Sequence, residues 1–444
     1  MRATLHLTTD TQTNQRTPDE PLVVTAPTRG RRSVRHLYTD SMPDGDPGFR
    51  DVLKIREVRA TLVGTFVIML GFGILLPVLP AYARTFDVGY DAVGLLIAGF
   101  NLMRLVADPF VGRFIDRYGE RGTTAAGAII VGASSIAAGL APTFPLLVVF
   151  RSVGGIGSSL FFAALLSFLL RTIPSERSGR VMSVYYGSFN VGFIAGGPLG
   201  GVVARLFGLA SPLHVYGIAC FAAAALFWRT IHNPARNAEE TRKGAFRRLP
   251  WTRPFVAVLV SNGAYAWMIG ALFSTLIPLF GVEEVGLTIG GVGLALAIVT
   301  ATELASLFPA GKATDRRGRR AVLVPSLAAL AAITAVLGLA SAATPFLIAM
   351  AVLGVASGYA GVPPAPMLSD VTPDELKGTA VAVFRFVGDL GFVLGPLVAG
   401  WAADAFGFGT SFVINAAPTL VALALVLSIR ETMPSMRVRR EVGL

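Results

Sequence analysis

Arg104 and Asp108 stand four residues apart in one apolar stretch of the chain, Arg385 and Asp389 stand four apart in another, and Glu303 and Arg151 lie in two more. A charge at the centre of a bilayer costs at least about 2.5–3.5 kcal/mol, so such residues mark ion pairs, proton relays or substrate contacts. The i, i+4 spacing puts each Arg and its Asp on one helix face, where they can neutralise one another. Glu303 has no obvious cation. Desolvation favours the neutral form of such a carboxyl, which makes it the first candidate for carrying a proton, the plainer alternative being a permanently protonated structural Glu. Four scattered histidines and a single cysteine, Cys220, form no metal-ligand cluster, and no Gly-Lys-Ser/Thr phosphate loop is present. No enzyme, metal site or cofactor is expected.

Long apolar helices must hold these residues. Of 444 residues, 53% are hydrophobic and 15% charged, and the mean hydropathy is +0.63. A bilayer core about 30 Å thick takes roughly 20 apolar residues in a helix. Twelve such spans are predicted, near 57–82, 89–112, 122–141, 145–170, 181–206, 214–231, 255–280, 289–311, 321–341, 344–369, 378–406 and 410–429. The expected fold is therefore an all-α membrane protein with six spans in each half. A polar tail over 1–55, read as disordered, precedes a bundle at 56–231; a linker at 232–253 leads to a second bundle at 254–430 and a tail at 431–444.

The net charge of +11 raises the question of nucleic acid, but the placement of the basic residues gives another cause. They gather in alternate loops, with only Arg84 and Arg205 on the opposite side, and the positive-inside rule then puts both termini in the cytoplasm of a multi-pass inner-membrane protein.

The halves repeat one another. Gly112, Asp116, Arg117, Gly119 and Arg121 recur 199 residues later as Gly311, Asp315, Arg316, Gly318 and Arg320, each set read as a loop between spans, and Gly192 and Gly196 recur as Gly391 and Gly395. A duplicated bundle of membrane helices suits alternating access, in which two similar halves rock about a site between them.

Over residues 57 to 430 the chain resembles the major facilitator superfamily, and within it the twelve-helix drug/proton antiporters. The resemblance rests on the loop pattern from Gly112 to Arg121 and its copy, on Arg151 with Gly155 and Gly157, and on Gly391, Gly395 and Pro396 in span 11. Glu120 departs from it, standing where a basic residue is usual, and Gly192, Gly196 and Pro198 in span 5 lie one residue out of register. The glycine and proline motifs serve helix packing or coupling.

The resemblance implies that Asp116 latches onto the N-terminus of span 11, and that spans 2 and 11 face each other across the halves, as spans 5 and 8 do. At about 1.5 Å per residue, Arg104 lies about 12 Å from its inner end, Asp108 about 6 Å, Arg385 about 10 Å and Asp389 about 16 Å. Asp108 is then expected against Arg385 and Arg104 against Asp389, forming a cytoplasmic gate that breaks when the carrier faces inward. Pairing within each helix is the alternative. The same counting sets Asn190 beside Glu303. The resemblance makes Arg151 a charge shuttle, against the alternative of a snorkelling interface residue. Tyr185, Tyr186, Tyr265 and Trp267 offer faces to a lipophilic cation, or pack as ordinary core aromatics. The implied function is proton-coupled efflux of hydrophobic or cationic organic compounds by a monomer, with a facilitator or importer of a small metabolite, or a receptor without transport, as alternatives.

Overall fold

A computed structural model describes residues 56–172, 175–233 and 245–433. The expected tail at 1–55, residues 234–244 of the linker and residues 434–444 of the last tail lie outside the described residues. Ten helical stretches are long and apolar enough to cross a membrane. Two of them, Tyr90–Gly139 and Lys377–Leu427, are each broken by one glycine with positive φ, Gly119 (φ 75°) and Gly407 (φ 79°). Each therefore supplies two spans, which brings the ten stretches to twelve. Gly318 (φ 100°) likewise divides Ile289–Arg317 from Arg319–Leu337.

These breaks correct one expectation. The charged repeats are not loops: Gly112 to Arg117 completes span 2 and Gly311 to Arg317 completes span 8, and the chain turns on a single residue. Only glycine takes that backbone conformation at little cost.

The span that follows each turn is capped from the far end of its own half. The backbone N–H groups of Arg319 and Arg320 donate to Glu431 Oε1 (2.9 Å) and Oε2 (3.1 Å), just past span 12. In the first half the N–H of Arg121 donates to Asn233 Oδ1 at 3.1 Å, just past span 6. Acceptors here satisfy the free donors of a helix N-terminus.

Beside each cap lies an ion pair whose polarity differs between halves. Glu120 Oε1 meets Arg171 Nε at 3.6 Å, and Arg319 Nε meets Asp370 Oδ2 at 3.4 Å. The 199-residue offset carries Glu120 onto Arg319 and Arg171 onto Asp370, so the pair recurs with its charges exchanged. That accounts for an acid at position 120. Glu120→Arg alone will set two cations against each other at a buried position. Breaking a buried pair costs about 3–5 kcal/mol, and the partial exposure of Arg171 lowers this toward about 2–3 kcal/mol. Thermal unfolding in detergent should show that loss, and Glu120→Arg with Arg171→Asp should recover at least half of it; a double variant no better than the single would disprove the pairing.

Two seams join the halves, spans 2 with 11 and spans 5 with 8. At the end away from the charged repeats, backbone meets backbone: Gly94 abuts the Pro396 carbonyl and Gly293 abuts the Gly197 carbonyl, one contact repeated under the offset. Arg84 Nε lies 3.3 Å from Glu283 Oε1, and the N–H of Asp91 donates to Asp404 Oδ2 at 2.6 Å. Tyr90 donates its hydroxyl to Glu283 and packs on Phe408, ring centroids 4.8 Å apart. At the charged-repeat end, a Cβ added at Gly112, Gly187, Gly311 or Gly378 would meet no atom within 4 Å. The halves thus close at the end away from the charged repeats.

Phe161 against Phe227 and Phe280 against Phe412 fill the cores of the two bundles. The outer faces are apolar as well, with Phe308 82% and Leu339 79% exposed, as a lipid-facing surface requires.

Candidate functional site

Between the halves lies a cavity of about 380 Å³. Phe72, Phe100 and Phe193 line it from the first half, Phe273 and Phe392 from the second. Part of the second wall comes from Ile269–Leu276 in span 7, which is π-helical; this wider winding sets Ile269, Phe273 and Ser274 on the cavity. Periodicity of apolar residues carries no signal for such a turn, and it was not expected.

Arg104, Arg151 and Glu303 supply the charged groups of the wall, and Asn190 is among its neutral polar residues. Arg104 Nη2 lies 3.7 Å from Asp389 Oδ1 across the seam of spans 2 and 11. The second half of the expected gate is absent. Asp108 accepts from the Ser159 hydroxyl of span 4 in its own half, while Arg385 is exposed and reaches only the electrostatic surroundings of Asp389. Neither Arg–Asp pair closes within its own helix. Arg104 sits on the cavity wall, nearer the centre than a terminal gate would be.

The offset maps this pair onto Glu303 and Asn190 at the other seam, and there no bond forms. Asn190 Nδ2 donates to the Tyr186 carbonyl one turn back at 2.8 Å, which satisfies the amide within its own helix. Glu303 Oε1 accepts from the Tyr265 hydroxyl at 2.5 Å, and no ion pair involves Glu303 among the described residues. One seam is therefore neutralised across the halves, and the other leaves a carboxyl facing the cavity.

Arg151 is 2% exposed, which removes the snorkelling alternative. Its guanidinium stacks over Phe100 at 4.1 Å and stands 5.9 Å from the Tyr216 ring. The residue at its repeat position, Met350, is an apolar core residue.

The four aromatics expected to meet substrate, Tyr185, Tyr186, Tyr265 and Trp267, lie off the cavity wall. Tyr185 is buried against Tyr186, Tyr265 is held by Glu303, and Trp267 Nε1 donates to Asn415 Oδ1 at 2.9 Å inside the second bundle. The wall aromatics escaped notice because one sequence does not say which way a helix face turns. Of the packing motifs, Gly192 and Gly196 lie on the backbone of span 1, Gly391 and Gly395 on that of span 7, and Pro198 and Pro396 at the closed seam. In the charged repeats, Asp315 pairs with Arg319 at 2.7 Å, Arg121 stacks over Trp228 at 4.4 Å and Arg320 donates to the Val426 and Leu427 carbonyls at 3.1 Å each. Asp116, Arg117 and Arg316 are exposed on the last turns of their spans, and Gly112 and Gly311 face open space.

The family model of the Major Facilitator Superfamily matches residues 61–302 and 266–442. An MFS-type transporter of Methanocaldococcus jannaschii is 24% identical over 384 residues, covering 82% of this chain and 96% of its own length. Multidrug resistance protein 1 of Bacillus subtilis is 27% identical over 259 residues, 56% of this chain and 64% of its own. Among solved structures, a bacterial homologue of the human lysosomal transporter Spinster, inward-facing and unoccupied, superposes with a TM-score of 0.73 at 16% identity, over 86% of this chain and 97% of that one. This last likeness concerns the fold.

Proposed function

The chain belongs to the Major Facilitator Superfamily, and from that premise we propose that it carries hydrophobic or cationic organic compounds out of the cell in exchange for protons, by alternating access to the cavity between its halves. Such a protein is a multi-pass membrane transporter and not an enzyme. The reading rests on Glu303, a carboxyl on an aromatic cavity wall with a neutral hydroxyl as partner and no cation beside it. A proton and an organic cation compete for such a carboxylate. Binding of one expels the other, which is the elementary step of exchange. Asp389 is offset by Arg104 and Asp108 is held by Ser159, so neither is as free to trade partners. Ring faces around the cavity suit a lipophilic cation, and the multidrug name of the Bacillus subtilis relative agrees with that class.

The positive-inside rule puts the charged repeats and both termini in the cytoplasm. On that orientation the described arrangement is closed outside by Arg84, Tyr90, Glu283 and Asp404. One chain holds the whole cavity, which supports a working monomer. Each charge moved through 100 mV contributes about 2.3 kcal/mol, enough to drive accumulation roughly fifty-fold.

Purified protein in liposomes with a trapped pH dye tests the reading. Ethidium, a planar aromatic cation, should elicit proton flux under an imposed gradient that protein-free liposomes lack. Ethidium movement without proton movement would replace exchange by facilitated diffusion.

A further inference from the structure

The exchange as described turns on Glu303 and does not use Arg151, for which the resemblance implies a charge shuttle. Its side chain lines the cavity from span 4, 2% exposed, and its Nε and Nη1 have no hydrogen-bond acceptor among the described residues. A guanidinium has five N–H donors and no acceptor. Buried without a carboxylate or carbonyl it is strongly destabilising, and stacking on Phe100 offsets only part of that, through the flat face and not the N–H edge. Met350 fills the equivalent place in the second half without any polar group, so the fold itself has no need of a cation there. Two donors of Arg151 are thus left beside the cavity without an acceptor among the described residues.

We infer that Arg151 is a binding site for a carboxylate on the transported compound, and that the preferred compound is an aromatic zwitterion. Its amine would meet Glu303 on the second-half wall, its carboxylate Arg151 on the first-half wall, and its ring system the phenylalanines between them. The planar fork of an arginine matches a carboxylate with two parallel N–H···O bonds, each stronger than a neutral one. The inference deepens the proposed exchange and rests on it for the part played by Glu303; the part played by Arg151 rests on geometry alone.

The test is isothermal titration of the purified full-length protein at one pH with three probes: 6-(aminomethyl)-2-naphthoic acid, whose amine and carboxylate stand at opposite ends of the ring system, its methyl ester and 2-naphthylmethylamine. All three carry the amine and the ring; only the first carries the carboxylate. The free acid should bind at least about tenfold more tightly than the other two, the size expected of a charge-assisted hydrogen bond. Arg151→Met, which copies the residue at the repeat position, should bring the three affinities within about twofold of one another by weakening the acid only, and Arg151→Lys should keep part of the preference. Equal affinities for acid and ester in the unchanged protein, no measurable binding of the acid, or an Arg151→Met variant that weakens all three alike overturns the inference. Should Arg151→Met not fold, the comparison of probes on the unchanged protein decides alone. Because the titration needs no gradient, acid-selective binding without proton flux would sink the exchange reading and leave this one standing. Proton flux driven by ethidium with no preference for the acid would do the reverse.

Discussion

Glu303→Gln will lose proton-driven transport by at least about a hundredfold, while substrate-for-substrate exchange survives at saturating substrate with a weaker apparent affinity. Glutamine preserves the shape of the side chain and, through its carbonyl oxygen, the bond accepted from Tyr265. It can neither release a proton nor pair with a cation, so coupling is removed and a cationic substrate binds more weakly. Competition at one carboxylate also fixes how affinity follows acidity. As pH falls the proton occupies Glu303 more often and an organic cation binds more weakly, approaching tenfold per pH unit, whereas the Gln variant should bind with nearly constant affinity. Dye-loaded liposomes and a binding series from pH 5 to 8 read both quantities. Proton flux surviving in the variant would move the coupling site elsewhere, with Asp389 the next to try.

The second large effect concerns a residue with no chemistry of its own. At Gly293 a side chain would run into the Gly197 carbonyl and the nitrogen of Pro198 on the opposing span. Overpacking against movable side chains costs about 1–3 kcal/mol, and here the obstacle is backbone. About 2.8 kcal/mol is a hundredfold in population. Gly293→Leu should therefore exclude the arrangement closed at that seam, and transport should fall at least about a hundredfold while the cavity stays reachable from outside. A cysteine at Ser274, on the cavity wall, gives the readout. A membrane-impermeant thiol reagent should label it from outside faster in Gly293→Leu than in the parent, Cys220 being buried. Undiminished transport would mean that closing this seam is not part of the cycle.

Much of this architecture can be read from residue order. Apolar length alone predicts twelve spans, and the offset between Gly112 and Gly311 predicts two similar halves. Counting depth along the spans sets Arg104 within about 4 Å of the height of Asp389, and the structure joins them. Asp108 was assigned to Arg385 by the same counting, which gives height but not azimuth; the small hydroxyl of Ser159 lay closer around the bundle. Azimuth also decided the fate of Tyr185, Tyr265 and Trp267, which turn into their bundles while phenylalanines face the cavity. Gly94 and Gly293 are plain in the repeat, but the load on them becomes visible only when two backbones are brought together. Function, in this reading, collects where the repeat fails: Glu303 against Arg104, Asn190 against Asp389, Arg151 against Met350.

The exchanged charges beside the caps have a further effect while the chain is being made. Two bundles of such similarity, emerging one after the other into the same bilayer, invite the helices of one to assemble with those of the other, a known failure of duplicated folds. Here a swapped assembly would face Glu120 with Asp370 and Arg171 with Arg319, like against like on both sides. Each half thus carries an ion pair whose polarity its twin cannot satisfy, which sets repulsion at both positions against a swapped assembly.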